Sequence, residues 1–312
     1  MLIKNIFKIV GFWLLLMTLC ALLGETSVAS ETGETSADFL NIGVGGRATA
    51  LSGAFTALAS DVSSVYWNPA GLAYVNSTQF MFSHNSWYQD LNFEYFGVTH
   101  SAADRLSIGG SIAYLSYGDI EGYDASGNPT GEVGTTYNMA AGLSIGYQPV
   151  DDYAFGLTVK YISISLAGTD ASALAVDLGA RYSAEKFGAG LALTNLGQNI
   201  KFDTEDERLP TALKGGIYYC PFSSFMASAD AEKQFYGDLA IKNGFEYRYD
   251  NYFLRTGYAY YPDQNNSSFG SGLSFGLGAI FGNFQIDYTY SPDSRVCAND
   301  IHRISLIIDI PR

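Results

Sequence analysis

The chain has 312 residues, of which 47% are hydrophobic, 15% aromatic and 15% charged, and its formal net charge is −14. An average soluble domain carries roughly 25% charged residues and a disordered chain has few aromatics, so the composition argues against disorder and against a coiled coil. The 31 acidic residues set against 17 basic ones argue against a nucleic-acid footprint, while 23 Tyr, 20 Phe and 34 Gly point to β structure.

Residues 1–29 read as an address. Lys4 and Lys8 precede an apolar stretch from Ile9 to Leu23, and Ser27-Val28-Ala29 fits a small-x-small cleavage site. This pattern predicts a secretory signal peptide; the run is short for the ~20 residues of a membrane helix. A lipid-modified Cys20 is disfavoured, because Leu19 stands where a small residue is usual. Without Lys4, Lys8 and Glu25 the mature chain carries 15 basic and 30 acidic residues, a net charge of −15.

Residues 30–75 have a different texture. Arg47–Ala59 is Ala-rich with Leu51, Phe55 and Leu58 at helical spacing, which predicts a short helix. Ser60–Val65 suits a turn and a second helical start, and Asn68-Pro69 fits an N-cap followed by Pro at the first helical position. Gly43-Val44-Gly45-Gly46-Arg47-Ala48 matches a dinucleotide-binding pattern, with Asp61 at a fitting distance. That pattern requires a βαβ unit, and no crossover helices follow. The simpler reading is that these glycines let the chain turn tightly against a wall.

From residue 76 the chain alternates. Leu106, Ile108, Ile112 and Tyr114 share one parity; Ile241, Phe245, Tyr247 and Tyr249 oppose Lys242, Glu246, Arg248 and Asp250. Period two is the strand signature. It predicts fourteen strands near 77–88, 92–101, 105–117, 135–148, 152–167, 171–183, 186–196, 210–220, 224–236, 239–249, 251–260, 269–281, 283–291 and 301–311. Most reach the ~9–11 residues of a tilted membrane strand. Short turns (101–104, 149–151, 184–185, 221–223, 250 and 282) alternate with connections that include the long loops 118–134, 197–209, 261–268 and 291–300. A sandwich has no reason to sort its loops in this way; an outer-membrane barrel has. The reading is an all-β protein: one 14-stranded antiparallel transmembrane β-barrel over 76–312, with residues 30–75 as a short helical plug in a lumen too wide for wall side chains alone to fill.

The plug segment also carries a resemblance. Gly45-Gly46-Arg47-Ala48, Gly53-Ala54-Phe55-Thr56-Ala57, Asp61 and Tyr66-Trp67-Asn68-Pro69-Ala70-Gly71-Leu72-Ala73 resemble the N-terminal signature of the PorV/PorQ-type family, within the wider FadL superfamily of outer-membrane barrels. His302–Ile310 resembles its closing strand. The resemblance implies a lumen plug with the Asn68-Pro69-Ala70 turn on it. It makes Gly45, Gly46, Arg47, Phe55, Asp61, Trp67, Asn68, Pro69, Ala70 and Gly71 the candidate plug and passage residues. It also implies an outer-membrane location with membrane lipid as a partner, and two roles. One is passive passage or binding of hydrophobic small molecules such as fatty acids; the other is docking or shuttling of cargo among the proteins of a type IX secretion system. A general porin is a third reading, which the plug argues against.

No catalytic, cofactor or metal site is expected. His84, His100 and His302 lack a recognisable nucleophile context, although Ser83 and Asp300 are near in sequence. Asp177, Asp230, Glu232, Glu246 and Asp287 share polar faces with Lys214, Arg181, Arg248 and Arg255, and are expected to hold the plug and one another through charge pairs. Cys220 is expected at the short-turn end and Cys297 in the last long loop, too far apart for a disulfide.

Overall fold

The computed structural model describes residues 35–86, 91–123, 126, 128–166, 169–202, 205–262, 272–293 and 299–312. The signal peptide expected over 1–29 and Cys297 lie outside the described residues.

Among the described residues sixteen strands follow a short N-terminal segment: β1 (Thr78–Ser86), β2 (Asn92–Ala103), β3 (Leu106–Tyr123), β4 (Pro129–Val150), β5 (Tyr153–Leu166), β6 (Thr169–Ser183), β7 (Phe187–Gly197), β8 (Ile200–Phe202), β9 (Glu205–Glu207), β10 (Ala212–Phe222), β11 (Phe225–Gln234), β12 (Leu239–Tyr249), β13 (Tyr252–Tyr260), β14 (Leu273–Phe281), β15 (Phe284–Asp293) and β16 (Asn299–Ile310). All but β8 and β9 form one closed antiparallel barrel of fourteen strands, in which β1 closes against β16 from Thr78↔Ile310 to Ser86↔His302. Closure leaves no unpaired edge, a condition for a β structure that spans a bilayer.

The predicted strands are all present, and the connections sort as expected. Links at 104–105, 151–152, 184–186, 223–224, 250–251 and 282–283 are two or three residues long and occupy one end. Arg105, Asp250 and Gly282 take positive φ there, as tight turns demand. Three expected loops are shorter than predicted, 291–300 among them, since β15 runs to Asp293 and β16 starts at Asn299. Most of 118–134 is strand, because β3 and β4 run on past a register shift between Ser116 and Asp119, where Gly118 takes φ 73°. The loop over 197–209 carries the hairpin β8–β9.

Alternation puts one parity of each strand outside. Leu143, Leu254, Leu277 and Phe155 are exposed on the wall, while their neighbours Ser144, Arg255, Gly276 and Ala154 face inward and are buried. The barrel is therefore inside out relative to a soluble sandwich, with an apolar exterior and a polar, glycine-rich interior.

Candidate functional site: a plugged lumen between two chambers

The N-terminal segment forms a 3-10 turn (Asp38–Asn41), helix α1 (Gly46–Ala50), helix α2 (Ser64–Trp67) and a 3-10 helix (Pro69–Tyr74). The predicted helix over 47–59 is much shorter in the structure. After one turn of α1, the Gly53 N–H bonds the Ala48 carbonyl and the Ser52 N–H bonds the Thr49 carbonyl. Ser52 and Gly53 both take positive φ. This is a Schellman ending, and it turns the chain back across the lumen.

The segment touches strands all round the ring. Gly46 donates its N–H to Ser305 Oγ on β16 (2.8 Å) and accepts from Thr289 Oγ1 on β15 (2.6 Å). Arg47 pairs with Glu246 on β12 (2.9 Å). The N–H groups of Phe55 and Thr56 donate to Asp230 on β11 (3.1 and 2.8 Å). Arg181 on β6 donates to the Ala59 carbonyl (2.6 Å). Val62 N–H donates to Gln79 on β1 (3.0 Å), and Ser107 on β3 donates to the Val75 carbonyl (2.9 Å).

The wall is cut away where the plug meets it. Gly146, Gly156 and Gly179 stand in register on β4, β5 and β6. A Cβ at Gly156 would sit 2.1 Å from the Pro69 carbonyl carbon, and one at Gly179 would sit 2.2 Å from Asn68 Oδ1. Across the lumen Gly244 and Gly257 pair on β12 and β13, and a Cβ at Gly257 would lie 2.3 Å from the Leu51 carbonyl carbon. The two glycine rows hold the plug between opposite walls.

Charge then locks it. Glu246 accepts from both Arg47 and Arg255, and Arg255 also pairs with Asp287 (2.6 Å), a chain that runs from plug to wall to wall. Glu232 pairs with Lys242 (2.5 Å) and Lys214 (3.6 Å), and Lys160 with Asp177 (2.8 Å). The expected charge pairs are present for Asp177, Glu232, Glu246, Asp287, Lys214 and Arg255, whereas Asp230 and Arg181 hold the plug through hydrogen bonds to its backbone and Arg248 does neither. That residue is exposed beside the 250 turn and donates to the Asp250 carbonyl.

The plug divides the lumen. Toward the long loops lies a vestibule of about 520 Å³, lined by Phe39, Ile42, Tyr66 and Trp67 of the plug, by Leu91 and Leu115, and by Lys214 and Lys242. Toward the short turns lies a chamber of about 460 Å³ that includes Arg47, Arg181, Arg248 and Arg255. Trp67 anchors the vestibule floor: its Nε1 donates to the Val44 carbonyl (3.0 Å), and its ring packs edge-on against Tyr66 and Phe55. Burial pushes the Tyr66 phenol well above its ordinary pKa, so it stays protonated and donates to the Leu40 carbonyl (2.9 Å).

A plug seated in a closed fourteen-stranded barrel can be compared with known proteins. The chain belongs to the Uncharacterised protein family (UPF0164), whose model matches residues 20–310. Among solved structures, this UPF0164 member is similar to the Pseudomonas putida toluene transporter TodX, with a TM-score of 0.60 and 13% identity over 86% of this chain and 97% of that one. It is also similar to a Pseudomonas aeruginosa FadL homologue, with a TM-score of 0.53 and 12% identity over 85% and 97%. At these identities the likeness is one of fold. No curated protein matches the sequence.

In this UPF0164 member the residues singled out from sequence divide by task. Gly45, at φ 78° and with a Cβ position 2.6 Å from Met81 Cε, and Gly46, whose Cβ position is 2.7 Å from Asp287 Cβ, let the plug graze the wall. This is the geometry of the simpler reading of the glycine motif. Asp61 accepts from Ser63 N–H (2.8 Å) and so caps a local turn. Asn68, fully buried, donates to the Thr56 carbonyl (2.8 Å) and the Ala180 carbonyl (3.3 Å), and its Oδ1 accepts from Ala70 N–H (3.1 Å). Pro69 opens the 3-10 helix, and Gly71 lies where a Cβ would strike the Ala59 carbonyl at 2.1 Å. Of the ten, only Trp67 lines the vestibule and only Arg47 the inner chamber.

Sequence reading missed the glycine rows. Their signal was present as glycines at inward-parity positions, but pairing them needs the register. The histidines form no common site. His84 meets Glu94 (2.6 Å), His302 meets Tyr288 (2.6 Å) and His100 meets Thr78 (2.8 Å). Ser83 is buried on the inner face while His84 is exposed on the outer one, and successive strand residues point to opposite faces.

Proposed function

We propose that this protein is an outer-membrane channel for small hydrophobic molecules. Residues 1–29 are removed on export, 30–75 form the plug, and 76–312 span the membrane with lipid around the wall. The observation that carries the reading is the vestibule: aromatic and aliphatic side chains of the plug itself form the floor of a cavity of about 520 Å³, within the size of small-molecule sites. The fold shared with a toluene transporter supports it. Gly45, Gly46, Arg47, Phe55, Asp61, Trp67, Asn68, Pro69, Ala70 and Gly71 act here as the frame that closes the passage and sets its floor. A docking role in type IX secretion rests on the signature resemblance alone, and no feature of the lumen adds to it.

The test is uptake of radiolabelled toluene by cells carrying the protein in their outer membrane, against cells with an empty vector and cells with Trp67→Ala. Faster uptake than the vector, altered by Trp67→Ala, is expected. Uptake equal to the vector for both would overturn the reading.

A further inference from the structure

The chamber on the short-turn side of the plug has an electrostatic character that hydrophobic passage does not use. Four arginines, Arg47, Arg181, Arg248 and Arg255, line it together with Glu246. Asp287 also pairs with Arg255, so four positive charges face two negative ones, in a chain whose net charge is −14.

Two of the four meet no carboxylate among the described residues. Arg181 is 7% exposed. It donates to the Ala59 carbonyl and lies over the rings of Tyr74 (4.4 Å) and Tyr218 (5.9 Å). Arg248 donates to the Asp250 carbonyl and lies over Phe253 (5.6 Å), a ring that Arg255 also covers (4.8 Å). Buried donors remain without a partner on both of the most buried arginines: Nε of Arg181 and Nη2 of Arg255. Arg181 is thus a buried charge with no carboxylate beside it among the described residues, which is costly, and with Glu246 and Asp287 offsetting two of the four guanidinium groups the remaining two positive charges attract an anion. Guanidinium is also the side chain whose planar fork matches a carboxylate.

The rest of the lining is apolar. Tyr218, Met226, Phe253 and Ile280 contribute to a space of about 460 Å³, which suits a small organic molecule. Ser223 and Ser224 of the β10–β11 turn also line it, so the chamber lies at the short-turn mouth.

We infer that this chamber binds a small organic carboxylate with an aromatic or short aliphatic body, reached from the short-turn side. The inference does not depend on passage through the vestibule. The site holds the carboxylate between the guanidinium groups of Arg181 and Arg248 and rests the apolar body against Tyr218 and Phe253.

The experiment is calorimetric titration of the mature protein in nanodiscs, in a non-anionic buffer, with benzoate as the probe and benzamide as its neutral counterpart. Benzoate is expected to bind at least tenfold more tightly than benzamide. Arg248→Gln removes a guanidinium whose contacts among the described residues are with Asp250 and Phe253 of the wall and not with the plug, and should weaken benzoate about tenfold, the scale of one charge-assisted contact. Arg181→Gln should weaken it at least as much. Arg105→Gln removes a positive charge at the same end, in a turn pair with Asp151, and should leave benzoate binding unchanged. Equal binding of benzoate and benzamide, equal losses in Arg248→Gln and Arg105→Gln, or full competition by an equal concentration of inorganic phosphate would each overturn the inference. Because Arg248→Gln leaves the plug's contacts intact, loss of fold cannot stand in for loss of the site.

Discussion

Asn68 offers a sharp test of how the plug is held. Its side chain both caps the 3-10 helix and ties the plug to itself and to β6. In Asn68→Ala the lost cap costs about 1 kcal/mol, and the orphaned, buried Thr56 carbonyl costs about 1–3 kcal/mol more. The sum, about 2–4 kcal/mol, shifts the balance of seated and unseated plug roughly 30- to 700-fold at about 1.4 kcal/mol per decade. Asn68→Asp separates the two parts. It keeps an oxygen for Ala70 N–H but turns an acceptor toward the carbonyls of Thr56 and Ala180. Asn68→Asp is therefore expected to loosen the plug at least as much as Asn68→Ala. Hydrogen exchange of plug peptides in nanodiscs reads this directly as faster exchange over 55–73, with the barrel strands unchanged. Wild-type exchange in Asn68→Asp would mean that the cap alone matters and that the tethering argument is wrong.

Other substitutions probe the remaining contacts. Deleting residues 36–75 should leave a foldable barrel with much larger single-channel conductance, because the wall closes through its own ladder; unchanged conductance would place the segment's blocking role elsewhere. Gly156→Ala puts a Cβ 2.1 Å from plug backbone, whereas Gly110→Ala meets nothing nearer than 3.6 Å. The first should cost about 1–3 kcal/mol and speed plug exchange, and the second should do neither. Glu246→Gln leaves Arg47 without a carboxylate partner, and breaking such a buried pair costs about 3–5 kcal/mol, to be seen as a lower urea midpoint for plug release. A membrane-impermeant maleimide on whole cells should label Cys297 readily and Cys220 little, since Cys220 lines the chamber at the short-turn end.

The wall was legible because its signal is local. Parity along Ile241–Tyr249 or Phe284–Tyr290 needs no knowledge of partners, and turn residues such as Asp250 and Gly282 mark the reversals. The plug was legible only in part. Its Ala-rich run favours helix by propensity, yet Ser52 and Gly53 end α1 after one turn, where Leu51 and Ser52 back onto the seat at Gly244 and Gly257. Asn68-Pro69 was readable, since capping is chemistry between neighbours. The glycine rows and the Arg47–Glu246–Arg255–Asp287 chain were not. Their members lie on strands far apart in sequence, and only the barrel's register brings them together.

The tethers also bear on what can move. The plug meets the wall through four charged contacts: Arg47 with Glu246, two N–H bonds to Asp230, and Arg181 with Ala59. At about 1.5–3 kcal/mol each they sum to roughly 6–12 kcal/mol, before the glycine seats are counted. A ligand of seven heavy atoms binds with at most about 10 kcal/mol and ordinarily far less, so it cannot drive the whole plug out. The stretch Asp38–Asn41 has no charged tether to the wall among the described residues and is held by the burial of Phe39 and Leu40. It borders the vestibule, and its link to α2 is the neutral Tyr66–Leu40 hydrogen bond. Tyr66→Phe removes that bond at a cost of about 0.5–1.5 kcal/mol, which converts to about a 2- to 10-fold rise in the open fraction of this stretch. If passage runs past it, toluene uptake should rise by the same factor while ion conductance stays at the wild-type level. Faster amide exchange at Leu40–Ile42 with no change in uptake would show that this stretch moves without gating anything.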